Sequence, residues 1–242
     1  MDFNTGGSKG QNPNDPSRPL FGGESPRTSP GPARGPTDPT GSSGGEFNLS
    51  DPVGSFIRTV RNVLLRPVDF FRGMARQGDF LNPAIFAVVC GLISSVLGGI
   101  VGLVITPLFS DAGGTGEAFV GGVLGFVLAV ILSPVYTAVG LLILSGVYHL
   151  LVLALVRPSN AGFEASFRVV CYVSAIQLLT WVPILNIIAG IYGLYVAYCG
   201  IREVHATTRQ RAAAVVAIPV LVLIVLAILF GAVLAALFSM AQ

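Results

Sequence analysis

Residues 212–238 read AAAVVAIPVLVLIVLAILFGAVLAALF, without one charged or amide side chain. As a helix at 1.5 Å per residue, such a run is longer than a hydrocarbon core of ~30 Å is thick. A soluble helix keeps a polar face, and this one has none, so the run reads as a membrane span. Towards the N-terminus, similar apolar stretches occupy 167–201, 118–156 and 83–108. From Pro83 to Phe238 there are only nine charged residues: Asp111, Glu117, Arg157, Glu164, Arg168, Arg202, Glu203, Arg209 and Arg211. All nine lie at the ends of these stretches or between them. A composition of 52% hydrophobic and 11% charged residues also falls outside the soluble range. The expected fold is an all-α, polytopic membrane helix bundle.

The charges orient the spans. All 14 Lys and Arg fall in the N-terminal region, at Arg157, at Arg168 and in the loop from Arg202 to Arg211. The positive-inside bias places these regions in the cytoplasm. The segment Asp111 to Glu117 is acidic, without Lys or Arg, and belongs outside. The stretch 118–156 would extend nearly 60 Å as one helix, about twice a hydrocarbon core. Its basic exit at Arg157 nevertheless demands an odd number of crossings. The expectation is one full span at 135–156, preceded by a shorter extracytoplasmic segment, 118–133, that ends at Ser133-Pro134. A double crossing, which would put Arg157 and Arg168 outside, ranks second. The stretch 167–201 is basic at both ends and must be a hairpin bent near Trp181-Val182-Pro183. Five transmembrane helices follow, at about 83–108, 135–156, 167–182, 184–201 and 212–238. The N-terminus is cytoplasmic and the C-terminus extracytoplasmic in a cell-membrane protein.

Residues 1–49 are rich in Gly, Pro, Ser, Thr and Asn and read as a disordered cytoplasmic tail, too poor in apolar surface to offset the entropy of ordering. They contain no apolar signal core, so the first span is expected to direct insertion. A helix starts at Ser50-Asp51-Pro52, a capping residue followed by Pro in the first turn. Behind it Val53, Phe56, Ile57, Val60 and Leu64 recur at helical spacing, with Arg58, Arg61 and Asn62 opposite. Pro67 opens a second helix, in which Val68, Phe71, Met74 and Ala75 lie beside Arg72 and Arg76, with Gly78 as its stop. From Val53 to Gly78 five arginines (Arg58, Arg61, Arg66, Arg72 and Arg76) face only Asp69, a net +4. This pair, 50–78, suits an amphipathic interfacial element against anionic lipid headgroups. It equally suits packing on the cytoplasmic ends of the spans. Residues 79–242 form the membrane domain.

Chemistry is sparse. Cys90, Cys171 and Cys199 lie in apolar runs and read as packing residues. No catalytic, metal or cofactor constellation is expected, and no nucleic-acid binding. No charged residue falls in the middle of a proposed span, which weighs against a gradient-coupled carrier. His149 is a lone histidine near the cytoplasmic end of its span, and His205 reads as a solvated loop residue. Ser94, Ser95, Ser145, Ser174, Gln177, Thr180 and Asn186 are expected to bond across helices. A permeation path would require Ser94, Ser145, Gln177 and Asn186 to meet at one depth and face. Gly98 with Gly102, and Gly121 with Gly125, have the four-residue spacing that lets helices approach closely.

The lead-in Leu64-Leu65-Arg66-Pro67-Val68-Asp69-Phe70-Phe71 precedes Asn82-Pro83 and the first span. The run ending Tyr148-His149 is followed by Gly162-Phe163-Glu164-Ala165-Ser166-Phe167-Arg168, a Pro-containing span pair and a final span. Over roughly Val60 to Phe238 this layout resembles the YIP family, the Ypt/Rab-interacting membrane proteins, in its bacterial form. The resemblance implies a five-span bundle with a cytoplasmic N-terminus. Eukaryotic relatives act in vesicle trafficking and bind Rab GTPases and one another. Their Asp-Leu-Tyr-Gly-Pro signature is absent; the corresponding zone reads Ile131-Leu132-Ser133-Pro134-Val135, so the resemblance carries no expectation of Rab binding. The expected function is non-enzymatic: a membrane-organising or scaffold protein whose partners are the bilayer, itself or other membrane proteins. The alternative is a permease or channel for a small solute.

Overall fold

The computed structural model describes residues 45–109, 116–156 and 160–240. The tail to residue 44, most of the acidic segment 111–117 and Arg157 lie outside the described residues. Every regular element among the described residues is helical. Asp51 caps α1 (Pro52–Leu65), its carboxylate accepting the Gly54 N–H at 3.1 Å, and Pro67 opens α2 (Pro67–Gly73), both as the residue chemistry demands. The second helix ends earlier than expected: Met74 leaves it in an extended conformation, and Gly78, at φ +146, belongs to a linker.

The membrane domain follows as α3 (Leu81–Phe109), α4 (Gly116–Leu155), α5 (Phe163–Val173), a 3-10 turn (Ser174–Ile176), α6 (Gln177–Thr180), α7 (Pro183–Val204) and α8 (Arg209–Met240). Among the described residues four helices are long and apolar enough to cross a membrane, over Leu81–Ile105, Val120–Leu155, Pro183–Val204 and Arg209–Ser239. The run from α5 to α6 is divided by its 3-10 turn and is not among them.

Helices α3 and α4 form an antiparallel hairpin in which Gly91 faces Thr137, Gly99 faces Phe126 and Leu103 faces Gly122. The expected break at Ser133-Pro134 does not occur, and residues 118–133 continue directly into 135–155 as one helix of 40 residues. Proline removes the N–H that would bond the carbonyl four residues back, here Val130. The Ser133 hydroxyl donates to that same carbonyl at 2.9 Å, so the orphaned acceptor is satisfied and the helix runs on. The second hairpin bends at Trp181-Val182 and returns as α7 from Pro183, as expected. In it Ile176 faces Gly193 and Val169 faces Gly200. Helix α5 lies between α3, α4 and α7, buried on all sides from Ala165 to Tyr172. Helix α8 contributes only Ala212, Val215 and Val216 to the core, and from Leu221 to Ser239 it is exposed throughout.

Much of the core gathers where α3, α5 and α8 begin and α4 and α7 end. Phe71, Phe86, Val152, Tyr172, Ile201 and Val215 are fully buried there. The segment Gly45–Asn48 is anchored to it through Phe47, which corrects the tail boundary at residue 49. Phe47 is 6% exposed, with its ring 6.4 Å from Phe56 and 5.9 Å from Phe86. The Ser55 hydroxyl meets both the N–H and the carbonyl of Asn48 at 3.0 Å, and Thr59 donates to the Gly45 carbonyl at 3.0 Å. Composition averages over a whole tail and misses one aromatic and one carboxylate with partners far along the chain. The inward face of α1 is consequently Ser55, Thr59 and Val63, while Val53 and Ile57, which spacing put on one apolar face with Phe56, Val60 and Leu64, point outwards.

Candidate functional site at the basic end of the bundle

The centre of this end is Arg168. Helix α5 is surrounded, so the guanidinium must find partners inside the protein or carry a large desolvation cost. It is ion-paired to Glu46 and donates through Nη1 to the Asp79 carbonyl at 2.8 Å. Glu46 accepts the Tyr172 hydroxyl at 3.0 Å and, on its other oxygen, the Ala75 N–H at 2.7 Å. One carboxylate from the N-terminal strap therefore ties together α5 and the α2–α3 linker. Asp79 caps α3 by accepting the N–H groups of Leu81 and Asn82 at 2.8 and 3.0 Å. These two bonds, aided by the Arg168 charge, hold its carboxyl below the usual carboxylate range.

The family-like motifs converge on this end. In the lead-in, Phe70 meets Tyr172 edge-on at 5.0 Å, and Phe71, 1% exposed, lies between α5 and α7. Gly200 makes that insertion possible: a Cβ there would lie 2.5 Å from Val169 and 3.3 Å from the Phe71 ring. The Tyr192 hydroxyl donates to the Leu64 carbonyl at 2.6 Å, satisfying an acceptor at the end of α1. From the second motif, Phe163 meets the His149 ring at 5.5 Å and Phe167 packs on Phe80 at 5.5 Å. His149 Nδ1 is buried without a partner among the described residues.

His205 corrects the sequence reading, because it is 0% exposed. Its Nδ1 accepts the Ala161 N–H and its Nε2 lies against the Ser166 hydroxyl, both at 3.2 Å, so the ring joins the loop after α7 to the start of α5. Burial, followed by the neighbouring His149 and Arg76, pushes its pKa down to about 4.

The five arginines of the lead-in are all exposed. Arg58 pairs with Asp51 at 2.9 Å and Arg72 with Glu203 at 3.2 Å. Among the proposed packing glycines, a Cβ at Gly102, Gly121 or Gly125 would meet nothing within 4 Å, and one at Gly98 only Trp181 at 3.8 Å. The close approaches are at Gly91, where a Cβ would lie 2.4 Å from the Thr137 hydroxyl, and at Gly99, 2.1 Å from Phe126. The four-residue spacing identified the right helix but the wrong face.

The interior polar residues do not converge as a permeation path requires. Ser94 meets Thr180 at 3.3 Å, Ser145 is buried without a partner among the described residues, and Asn186 is exposed. Gln177 lines a largely apolar groove of about 500 Å³ between α4, α5 and α7, shared with Thr137, Ser174 and Tyr148. Among the described residues no three His, Cys, Asp or Glu side chains gather as a metal site.

An all-helical chain with four membrane-crossing helices and a structured cap over their basic end is a multi-pass membrane protein. A family model for the Yip1 domain matches residues 61–231, and the chain belongs to the Yip1 domain family. No curated protein matches the chain. No solved structure does either.

Proposed function

We propose that this Yip1-domain protein is a non-enzymatic membrane organiser whose basic end lies in the cytoplasm. There α1 rests among lipid headgroups, and the bundle binds other membrane proteins or further copies of itself. The observation that carries this reading is the outward face of α1. Val53, Ile57 and Leu65 are 71, 59 and 70% exposed, beside the exposed Arg58, Arg61 and Arg66. An apolar stripe bordered by arginines fits the boundary between headgroups and acyl chains of an anionic leaflet. The spans number five in this reading. Phe163 to Thr180 is helical throughout and extends ~27 Å, close to a hydrocarbon thickness of ~30 Å, so it serves as the fifth. Ile131 to Val135 lack the eukaryotic Asp-Leu-Tyr-Gly-Pro signature, which favours the bacterial form of the family in this reading.

An environment-sensitive fluorophore at position 57 of the full-length protein in nanodiscs tests the placement of α1. Its emission should shift to the blue on anionic lipid and return as salt rises. Emission like that of a water-exposed dye in both lipids would exclude it. Crosslinking in the native membrane tests the role, with recovery of this chain's own oligomers or of other membrane proteins expected. Solute flux through liposomes holding the purified protein would favour a permease instead. That alternative has the Gln177 groove in its favour and the scatter of Ser94, Ser145 and Asn186 against it.

A further inference from the structure

We propose that a pocket beside the end of α7 binds a phosphate group, presented in the membrane by an anionic phospholipid headgroup. The proposal rests on the cytoplasmic, headgroup-level placement of the basic end. The pocket is an open concavity of about 830 Å³, within the usual size range for ligand sites. Its walls come from three parts of the chain: Arg72 to Gln77, Asn160 with Ala161, and Val204 to Ala206.

The polar side chains in those walls are donors. Arg72 and Arg76 carry charge, and Gln77 and Asn160 carry amides. Among the described residues no carboxylate lines the pocket. Glu203 takes Arg72 through Nε at 3.2 Å, which fixes that guanidinium and leaves its two Nη groups for another acceptor. The Asn160 carbonyl oxygen is already used by the Gly162 N–H at 2.8 Å, so what this side chain has left to offer is N–H. His205 is fully buried, with both ring nitrogens engaged within the chain, and adds no anion of its own. A pair of planar guanidinium forks with amide donors suits phosphate oxygens, which accept in parallel pairs.

The position also fits. Val204 is both the last residue of a membrane-crossing helix and part of the pocket wall. Two of the last four carbonyls of α7 are bonded within the chain, Ile201 by His205 N–H at 3.2 Å and Arg202 by Thr207 N–H at 3.1 Å. Ala206 turns the chain at φ +46, a left-handed conformation that a non-glycine residue adopts only when its surroundings enforce it. Basic pockets at the cytoplasmic ends of membrane helices hold phospholipid headgroups by this chemistry.

The test titrates the purified full-length protein, in uncharged detergent, with short-chain phosphatidylglycerol, short-chain phosphatidylcholine or inorganic phosphate, and follows thermal unfolding. Phosphatidylglycerol should raise the melting temperature saturably, at a concentration at least tenfold lower than phosphatidylcholine needs. Inorganic phosphate matching phosphatidylglycerol would overturn the lipid source and leave a soluble phosphate compound as ligand. Arg76→Gln, at an exposed side chain, should weaken the phosphatidylglycerol response about tenfold, the loss of one charge-assisted bond. Gln77→Ala provides a milder second variant if Arg76→Gln lowers the melting temperature without lipid. Arg58→Gln with Arg61→Gln, on α1, should leave the response intact. No saturable response, or one unchanged in both pocket variants, would overturn the pocket. A response lost only with the α1 variants would do so too, while sparing the surface-helix reading.

Discussion

Arg168 and Glu46 are 6 and 10% exposed at their side chains, and neither can be removed alone without leaving a buried charge behind. Arg168→Leu or Glu46→Gln should each cost about 3–5 kcal/mol, read from unfolding of the purified protein in detergent. Glu46→Gln with Arg168→Met should recover much of that loss, because with both partners neutral no buried charge is stranded. A double variant as weak as the sum of the singles would mean that the two do not act as a unit. His205 predicts a pH dependence of defined sign. Its pKa falls from 6.5 to about 4 on folding, under burial and the neighbouring His149 and Arg76. Above 6.5 the ring is neutral in both states and stability is intact. Between about 6.5 and 4 the unfolded chain takes up a proton that the folded one refuses, so stability falls as the pH falls. The loss is on the order of 3 kcal/mol and levels off below about 4. Melting temperatures measured across that window should drop, and a flat profile would mean that the ring is protonated in place.

Among the elements, α4 offers a cycle with an unusual sign. Ser133→Ala should destabilise by about 1 kcal/mol, since it strands the Val130 carbonyl in the membrane. Pro134→Ala restores the backbone donor, so Ser133→Ala in a Pro134→Ala background should cost almost nothing. Unfolding of the four proteins in lipid would show it, and equal costs in both backgrounds would refute the repair. In the α3–α4 contact, Gly99→Leu should cut the yield of folded protein severely, whereas Gly102→Leu, facing open space, should be tolerated within the monomer. The apolar stretches, the hairpin bend at Trp181-Val182 and the helix starts at Pro52 and Pro67 were legible because each is written in contiguous residues. The continuity through Pro134 was not, because the repair depends on which carbonyl a serine rotamer reaches. Nor was the role of Gly99, since every glycine of a helix looks alike until its neighbour is known. The burial of Arg168 had a signal in its place, one residue inside an apolar stretch. Its partner lay in a segment whose composition argued for disorder.

For the molecule as a whole, the ends of α4 and α7 and the starts of α3, α5 and α8 meet at one end. With that end in the cytoplasm, cysteines introduced at Gly114 and Gln242, in a background lacking Cys90, Cys171 and Cys199, should react with an impermeant thiol reagent applied outside the cell. Those at Asn160 and Thr207 should not. External labelling at Asn160 would overturn the topology and demand a different number of crossings.

The bond between Glu46 and Arg168 joins positions 122 residues apart, and this sets an order of events during synthesis. At 5–20 residues per second, Glu46 waits roughly 6 to 25 s for its partner to be made. Throughout that interval Phe70 has no Tyr172 and Phe71 no Gly200 to receive it. The strap and its two helices therefore close only on a chain translated past residue 200. A protein truncated within α4 would leave those two rings without their cover, which makes the docked strap a sign that α5 and α7 have both been made.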